Sequence, residues 1–331
     1  MKAALLEALH TPIQITDIPA PTPGPHEVLV QLKAAALNHR DVWIQKGQYP
    51  GIQFPVILGS DGAGTVASAG ANVQAETGME VLINPNINWG DSEKAQSQEY
   101  TILGLPTNGT FAEYVCVAAD RVHPKPAHLT FEQAAALPLA GLTAYRALFT
   151  RAQLQPAEKV LITGAGGGVA LFAIQFAIAA GAEVYVTSGS DEKIARAKEM
   201  GARGGINYRQ DDWFKQLKKE AGLFDVIIDS AGGDQFAHLV DLAAPGGRIA
   251  FYGGTLGKIN NLIPGRIFWK QLSILGSTMG SDADFKNMLA FVAKHKLVPE
   301  VDSVFPLSET EQAFRKMDAG KQFGKIVIKI S

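Results

Sequence analysis

Apolar and polar residues alternate through the first third of the chain and give way to longer apolar runs after it. Val28-Leu-Val-Gln-Leu-Lys33 alternates with the period of two that turns one face of a strand to a core. Gly62-Ala-Gly-Thr-Val-Ala67 predicts a second strand, with glycines where neighbouring backbones approach closely. Pro19, Pro21, Pro23, Gly24 and Pro25 punctuate this region, so to about Pro126 the pattern predicts a β-rich module of short strands. Asn84 to Gly109 is polar and aperiodic and predicts a long excursion loop, of a length that compact domains usually reserve for function.

From about Leu129 the period changes. Phe131 to Pro138 and Gly141 to Phe149 predict helices. Strands are then expected at Lys159–Thr163, Ala182–Thr187, Gly205–Tyr208, Phe224–Asp229, Gly247–Tyr252 and Leu272–Gly276. Between them fall helical spacers, among them Val169–Ala180, apolar nearly all round, and Asp191–Met200, capped by Ser190 or Asp191. Such alternation predicts an α/β fold with a doubly wound parallel sheet. From about Val298 short strands return at Asp302–Leu307 and Lys325–Ile330, around a helix from Glu309 that ends at Gly320. We expect this tail to rejoin the first domain, giving one domain of 1–127 with 298–331 and a nucleotide-binding domain of 128–297. A chain of 331 residues exceeds what one core usually supports, which agrees with two domains.

Composition narrows the partners. The net charge is −2 without an acidic or basic block, so nothing supplies the footprint of a nucleic-acid binder, and the expected partner is a small molecule in a shaped pocket. Cys116 is the single cysteine, which excludes an intramolecular disulfide and a multi-cysteine zinc knot. The beginning MKAALLEALH has no signal-peptide pattern, and the apolar run Val169–Ala180 is too short to span a bilayer, so no membrane role and a cytoplasmic location are expected.

The strongest local signal is a glycine-rich turn. Strand Val160–Thr163 runs into Gly164, Ala165, Gly166, Gly167, Gly168 and Val169, and then into a helix. A pyrophosphate must reach backbone N–H groups at a helix N-terminus, which side chains would obstruct. The spacing is a loose variant of G-x-G-x-x-G with small residues at Gly164, Gly167 and Ala170, and its strand–turn–helix context makes it a dinucleotide site of Rossmann type. The second strand ends Thr187-Ser-Gly-Ser190, with no carboxylate to hold ribose hydroxyls. The hydroxyls of Ser188 and Ser190 and the cations Lys193 and Arg196 would suit a 2′-phosphate, so NADP(H) is the expected cofactor.

Several segments together resemble the medium-chain dehydrogenase/reductase superfamily, in its zinc-independent quinone oxidoreductase and enone reductase branch. They are Asn38-His-Arg-Asp41-Val-Trp43, Gly59-Ser-Asp-Gly-Ala-Gly64, Gly109-Thr-Phe-Ala-Glu-Tyr114, Ala140-Gly-Leu-Thr-Ala-Tyr145, the glycine turn and Phe323-Gly-Lys-Ile-Val327. The resemblance covers essentially the whole chain. It implies a GroES-like β-rich catalytic domain built from both chain ends, a Rossmann domain between, a cleft where nicotinamide meets substrate, and a homodimer or homotetramer. In the alcohol-dehydrogenase branch, catalytic zinc lies near the segments matching Asn38, Ser60 and Leu139, and a second zinc is held by four cysteines in the loop matching Asn84–Gly109. These residues are poor ligands or none, so no metal is expected. By the same resemblance Thr143 should hold the nicotinamide ribose, Tyr208 the adenosine phosphate, and Gly253, Gly254, Thr255 and Ser277 the nicotinamide half, with Lys325 a further phosphate contact.

Without zinc, simple alcohol oxidation loses its Lewis acid. An electron-poor quinone or α,β-unsaturated carbonyl still accepts hydride if donors hold its oxygen. Asn38, Asp41, Tyr49 and Thr143 are the candidate donors; Tyr49 matches the proton-donor segment of zinc-free enoyl reductases or only walls the cleft, and His39 reads as a hydrogen-bonded cleft residue. The expected activity is NADPH-dependent reduction of quinones or enones. The alternatives are a non-catalytic NADPH-binding protein and an alcohol dehydrogenase-like oxidoreductase.

Overall fold

In the computed structural model, which describes residues 1–331, the alternating segment around Val28 is the long central strand Glu27–Ala36 of a seven-stranded sheet. Val28, Val30, Leu32 and Ala34 point into the core and are fully buried, as the period of two requires. Val28, Val30 and Leu32 meet Val66, Val81, Ile83, Leu103, Val115 and Val117 from neighbouring segments. On one side the central strand pairs with Asp61–Ala69; on the other its first half pairs with Tyr114–Ala118 and its last residues with Lys325–Lys329, which runs parallel to Val301–Pro306. The tail thus closes the first sheet, with Val327 opposite Ala36 and Lys329 opposite Ala34. A second cluster, with Leu6, Leu37, Ile44, Ile57, Phe111 and Phe314, packs beside it, and Phe111 meets Phe314 edge-on at 5.9 Å.

The chain divides into two units, Met1–Ala140 with Ser281–Ser331, and Gly141–Gly280. Both boundaries differ from the expected ones, and each difference has a cause. Helix Phe131–Ala136 buries Ala134, Ala135 and Ala136 against strands Glu27–Ala36, Asp61–Ala69 and Lys325–Lys329, so it belongs to the first unit. Helix Asp282–His295 belongs there too. Arg121 holds Asp282 with two hydrogen bonds of 2.6 and 2.7 Å, Asn84 donates to the same carboxylate at 3.0 Å, and Phe285 packs on His123. The polar stretch 84–109 contains only the ribbon of Asn86–Ile87 and Thr101–Ile102, anchored by Trp89 against Tyr100.

The second unit is a six-stranded, wholly parallel sheet. Its strand order is Gly204–Asn207, Glu183–Ser188, Lys159–Ile162, Phe224–Asp229, Ala243–Phe251 and Ser273–Gly276. The order reverses between Lys159–Ile162 and Phe224–Asp229, which opens a crevice at the carboxyl ends of those two strands. Helix Gly168–Ala179 buries Ala170, Leu171, Phe172, Ala173, Ile174, Phe176 and Ala177, which accounts for its apolar circumference. Along the edge strand Ser273–Gly276 the sheet ends, and the nearby helix Pro264–Trp269 exposes Phe268 and Trp269, the latter at 85%. No helix is long and apolar enough to cross a membrane.

Candidate functional site

In the second unit the glycine turn lies at the reversal point. Gly164 and Gly166 take left-handed φ angles of 73° and 114°, which a side chain resists. Gly167 begins the helix with no side-chain cap, so the first helical N–H groups have no side-chain acceptor and form a ready anion site. Ala165 is tied down by its own N–H to the Thr187 carbonyl and by the Ser188 hydroxyl, which donates to the Ala165 carbonyl at 3.0 Å. Ser188 therefore shapes the turn from within, and Ser190 accepts from the Lys193 N–H as the helix cap. The Ser188 hydroxyl thus spends its proton inside the turn, whereas Ser190 only accepts as a cap.

Cations also lie close to the turn. A Cβ on Gly166 would lie 2.6 Å from Lys193 Cδ and 3.3 Å from its Nζ, so this side chain lies across the turn. A Cβ on Gly189 would meet the Tyr208 hydroxyl at 2.8 Å and Arg209 Nε at 3.0 Å. Tyr208 and Arg209 thus overhang the end of strand Glu183–Ser188, where an NAD site would carry its carboxylate. Arg209 was missed in the sequence because it follows a different strand; the signal available was a cation directly after the Tyr208 already singled out.

A pocket of about 180 Å³ opens beside the turn, lined by Thr163, Gly164, Thr187, Tyr208, Ser230 and Thr255 among others. Asp229 builds one wall. It accepts from Thr163 Oγ1 at 2.7 Å and from the Gly232 N–H at 2.8 Å, and burial raises its pKa. A Cβ on Gly253 would strike the Ser230 carbonyl at 2.4 Å, whereas Gly254 faces open space. The Ser277 hydroxyl is buried without a protein partner, and the Thr143 hydroxyl lies 3.8 Å from Met279 Sδ. An uncapped helix start, overhanging cations and an orphaned hydroxyl fit a phosphorylated dinucleotide.

The first unit carries a buried polar cluster around the start of helix His39–Gln45. Asp61 is fully buried; its Oδ1 accepts from the Leu139 N–H at 2.8 Å, and its Oδ2 accepts from Asn38 Nδ2 and from Lys325 Nζ, both at 2.9 Å. Lys325 also donates to Asn38 Oδ1 at 2.6 Å. The expected phosphate contact at Lys325 is thereby corrected: strand pairing carries the residue into the first unit, where its side chain is 4% exposed and its ammonium is bound to Asp61. Arg40 donates to Ser60 Oγ and to the Leu103 carbonyl, and its guanidinium lies 5.1 Å over the ring of half-buried Tyr49. His39 is on the exposed side of the helix, tilted against Trp43.

Asp41 also departs from expectation. It is fully buried, and its Oδ2 accepts the Asn38 backbone N–H at 2.8 Å, so it caps the helix behind Asn38 instead of meeting a substrate. Its Oδ1 has no protein partner, and burial pushes its pKa up to about 6 against the pull of Arg40. A carboxyl raised in this way costs stability when ionised, so its penalty is absent below about pH 4 and fully present above about pH 6. Asp41→Asn keeps the capping oxygen and removes the charge. Relative to the parent, the variant is expected to gain about 3 kcal/mol more near pH 8 than near pH 4 in urea denaturation; equal differences at the two pH values would show that Asp41 is not so raised. Cys116 is a thiol held up to about pH 11 by burial and Glu27, which makes it a weak nucleophile.

Two family models match the chain. Residues 24–127 match the family model of the alcohol dehydrogenase GroES-like domain, and residues 168–294 match that of zinc-binding dehydrogenases. The zinc-type alcohol dehydrogenase-like protein YogA of Leptosphaeria maculans is 37% identical over 97% of this chain and 96% of its own. The quinone oxidoreductase of Mus musculus is 30% identical over 95% of this chain and 92% of its own. A crystal structure of an NAD-dependent alcohol dehydrogenase superposes with a TM-score of 0.95 at 40% identity, with all of both chains covered.

Proposed function

Because the chain belongs to the medium-chain dehydrogenase/reductase superfamily and is an oxidoreductase, we propose that it reduces quinones or α,β-unsaturated carbonyls with NADPH and without zinc. The observation that carries this reading is the ammonium of Lys325 held between Asn38 and Asp61, whose carboxylate also takes the Leu139 N–H. A zinc ion needs several converging Cys, His or carboxylate ligands. Here one amide and one carboxylate hold a cation, and no group of three His, Cys, Asp or Glu side chains could hold a metal. The zinc of the matching family model does not fit these residues.

The NADPH preference rests on Lys193 and Arg209 and on the missing carboxylate at Ser188–Ser190. The dinucleotide would be held by Gly164, Ala165, Gly166, Gly167, Gly168 and Val169 at its phosphates, by Lys193, Tyr208 and Arg209 at the adenosine end, and by Thr143, Gly253, Gly254, Thr255 and Ser277 at the nicotinamide end. When bound, the nicotinamide supplies a hydride, and NADP⁺ is left. Asn38 donates an N–H to the substrate oxygen, which gathers negative charge as carbon gains the hydride. Arg40 braces the Tyr49 ring, whose hydroxyl is the proposed source of the proton that completes the reduction.

Purified protein is expected to turn over p-benzoquinone and crotonaldehyde with NADPH and less well with NADH. Replacing Lys193 and Arg209 together by alanine is expected to raise the KM for NADPH about 100-fold, as loss of charge-assisted phosphate contacts worth roughly 3 kcal/mol implies, and to leave that for NADH nearly unchanged. No turnover on either acceptor, a switch that weakens both cofactors alike, or stoichiometric zinc required for activity would each sink the reading.

A further inference from the structure

An asparagine side chain is nearly symmetric in shape, so packing alone does not decide which way its oxygen and nitrogen face. At Asn38 chemistry decides. Lys325 only donates, so it can sit only at the amide oxygen, 2.6 Å away. Asp61 accepts on both oxygens, from the Leu139 N–H and from Lys325 Nζ, so it can sit only at the amide nitrogen, 2.9 Å away. Asp61 is itself held from the far side by the Leu139 N–H. One amide hydrogen of Asn38 is consumed by Asp61, and the other has no partner in the protein. Of the three residues, Asn38 keeps the most exposure, 7%, against 3% for Lys325 and none for Asp61.

We infer that Lys325 and Asp61 are positioning residues, which lock the Asn38 amide so that one N–H stays directed at the substrate oxygen. The inference rests on the proposed reduction, in which Asn38 is the donor. Without the pair the amide could turn over and present its oxygen, which would repel the charge that develops on the substrate. A cation buried next to a carboxylate thus does orienting work through a neutral group, and neither charged residue need touch the substrate.

Lys325→Met together with Asp61→Asn removes both charges at once, so no unpaired buried charge endangers the fold. Turnover of crotonaldehyde with NADPH is expected to fall about 100-fold in kcat, with KM for NADPH unchanged, and Asn38→Leu is expected to fall by the same factor. Combining all three substitutions should cost no more than either alone. Independently of activity, the Asn38 side-chain amide of asparagine-labelled, cofactor-free protein should give two well-separated proton resonances in a nitrogen-correlated NMR spectrum. These should draw together in the Lys325→Met, Asp61→Asn variant and persist in Lys325→Arg if the guanidinium keeps the contact. Multiplying losses in the triple variant, or an amide pair that ignores the loss of Lys325 and Asp61, would overturn the inference. Full turnover by Asn38→Leu would instead overturn the donor role on which it rests, whatever the spectrum shows.

Discussion

Gly64→Val is expected to remove more than about 4 kcal/mol of stability, enough to leave little soluble protein. The reason is space and not backbone conformation. A Cβ at Gly64 would lie 2.0 Å from the Gln31 carbonyl oxygen, 2.8 Å from its carbon and 2.9 Å from Leu32 Cα. All three are backbone atoms of the central strand Glu27–Ala36, so no side chain can swing away. Relief would require that strand to move, yet it pairs with Asp61–Ala69, Tyr114–Ala118 and Lys325–Lys329 at once. Gly276→Ala is the matched control: it also lies in a strand, but nothing stands within 4 Å of its Cβ position. Its effect should stay within about 0.5 kcal/mol. Urea denaturation of the two variants, or soluble yield where Gly64→Val does not accumulate, reads the contrast; similar stabilities would refute it.

Lys325→Met on its own is expected to cost about 3–5 kcal/mol. Methionine fills most of the volume, so the loss is electrostatic. Asp61, with no exposure, would keep its hydrogen bonds from Asn38 and Leu139 but lose its counter-ion 2.9 Å away. Burying an ionised carboxylate without a partner is far costlier than replacing the whole pair by neutral groups. Lys325→Met with Asp61→Leu should therefore recover most of the stability lost in the single variant. A double-mutant cycle in urea measures the coupling, and a single variant as stable as the double would show that the pair contributes nothing.

Much of the fold was legible because it repeats short-range patterns. The period of two at Val28–Lys33 and the apolar bursts at Lys159, Phe224 and Leu272 each report which face of a local element is buried, and the strands formed where they fall. The glycine turn was legible for the same reason, since strand, turn and helix are consecutive. The domain boundaries were less so. Texture changes at Leu129, but whether the helices Phe131–Ala136 and Asp282–His295 join the first unit depends on Arg121, Asn84 and strands distant in sequence.

Within the sites the same division holds. Gly164–Val169, Tyr208 and Gly253 could be singled out because their geometry follows from backbone shape or a local pattern. Ser188 and Ser190 could not be placed, because a hydroxyl's partner may be a ligand, a turn carbonyl or a helix cap, and folding chose the latter two. Arg209 escaped notice because only the parallel pairing of Glu183–Ser188 with Gly204–Asn207 brings it over Gly189. The sequence by itself determined the element types, the parallel sheet, the glycine-rich turn and the shortage of metal ligands, all of which depend on residue type and near neighbours. Only the tertiary structure decided that Lys325 faces Asn38 and Asp61 across 287 and 264 residues of chain, because a buried charge finds its partner through strand register and not through spacing.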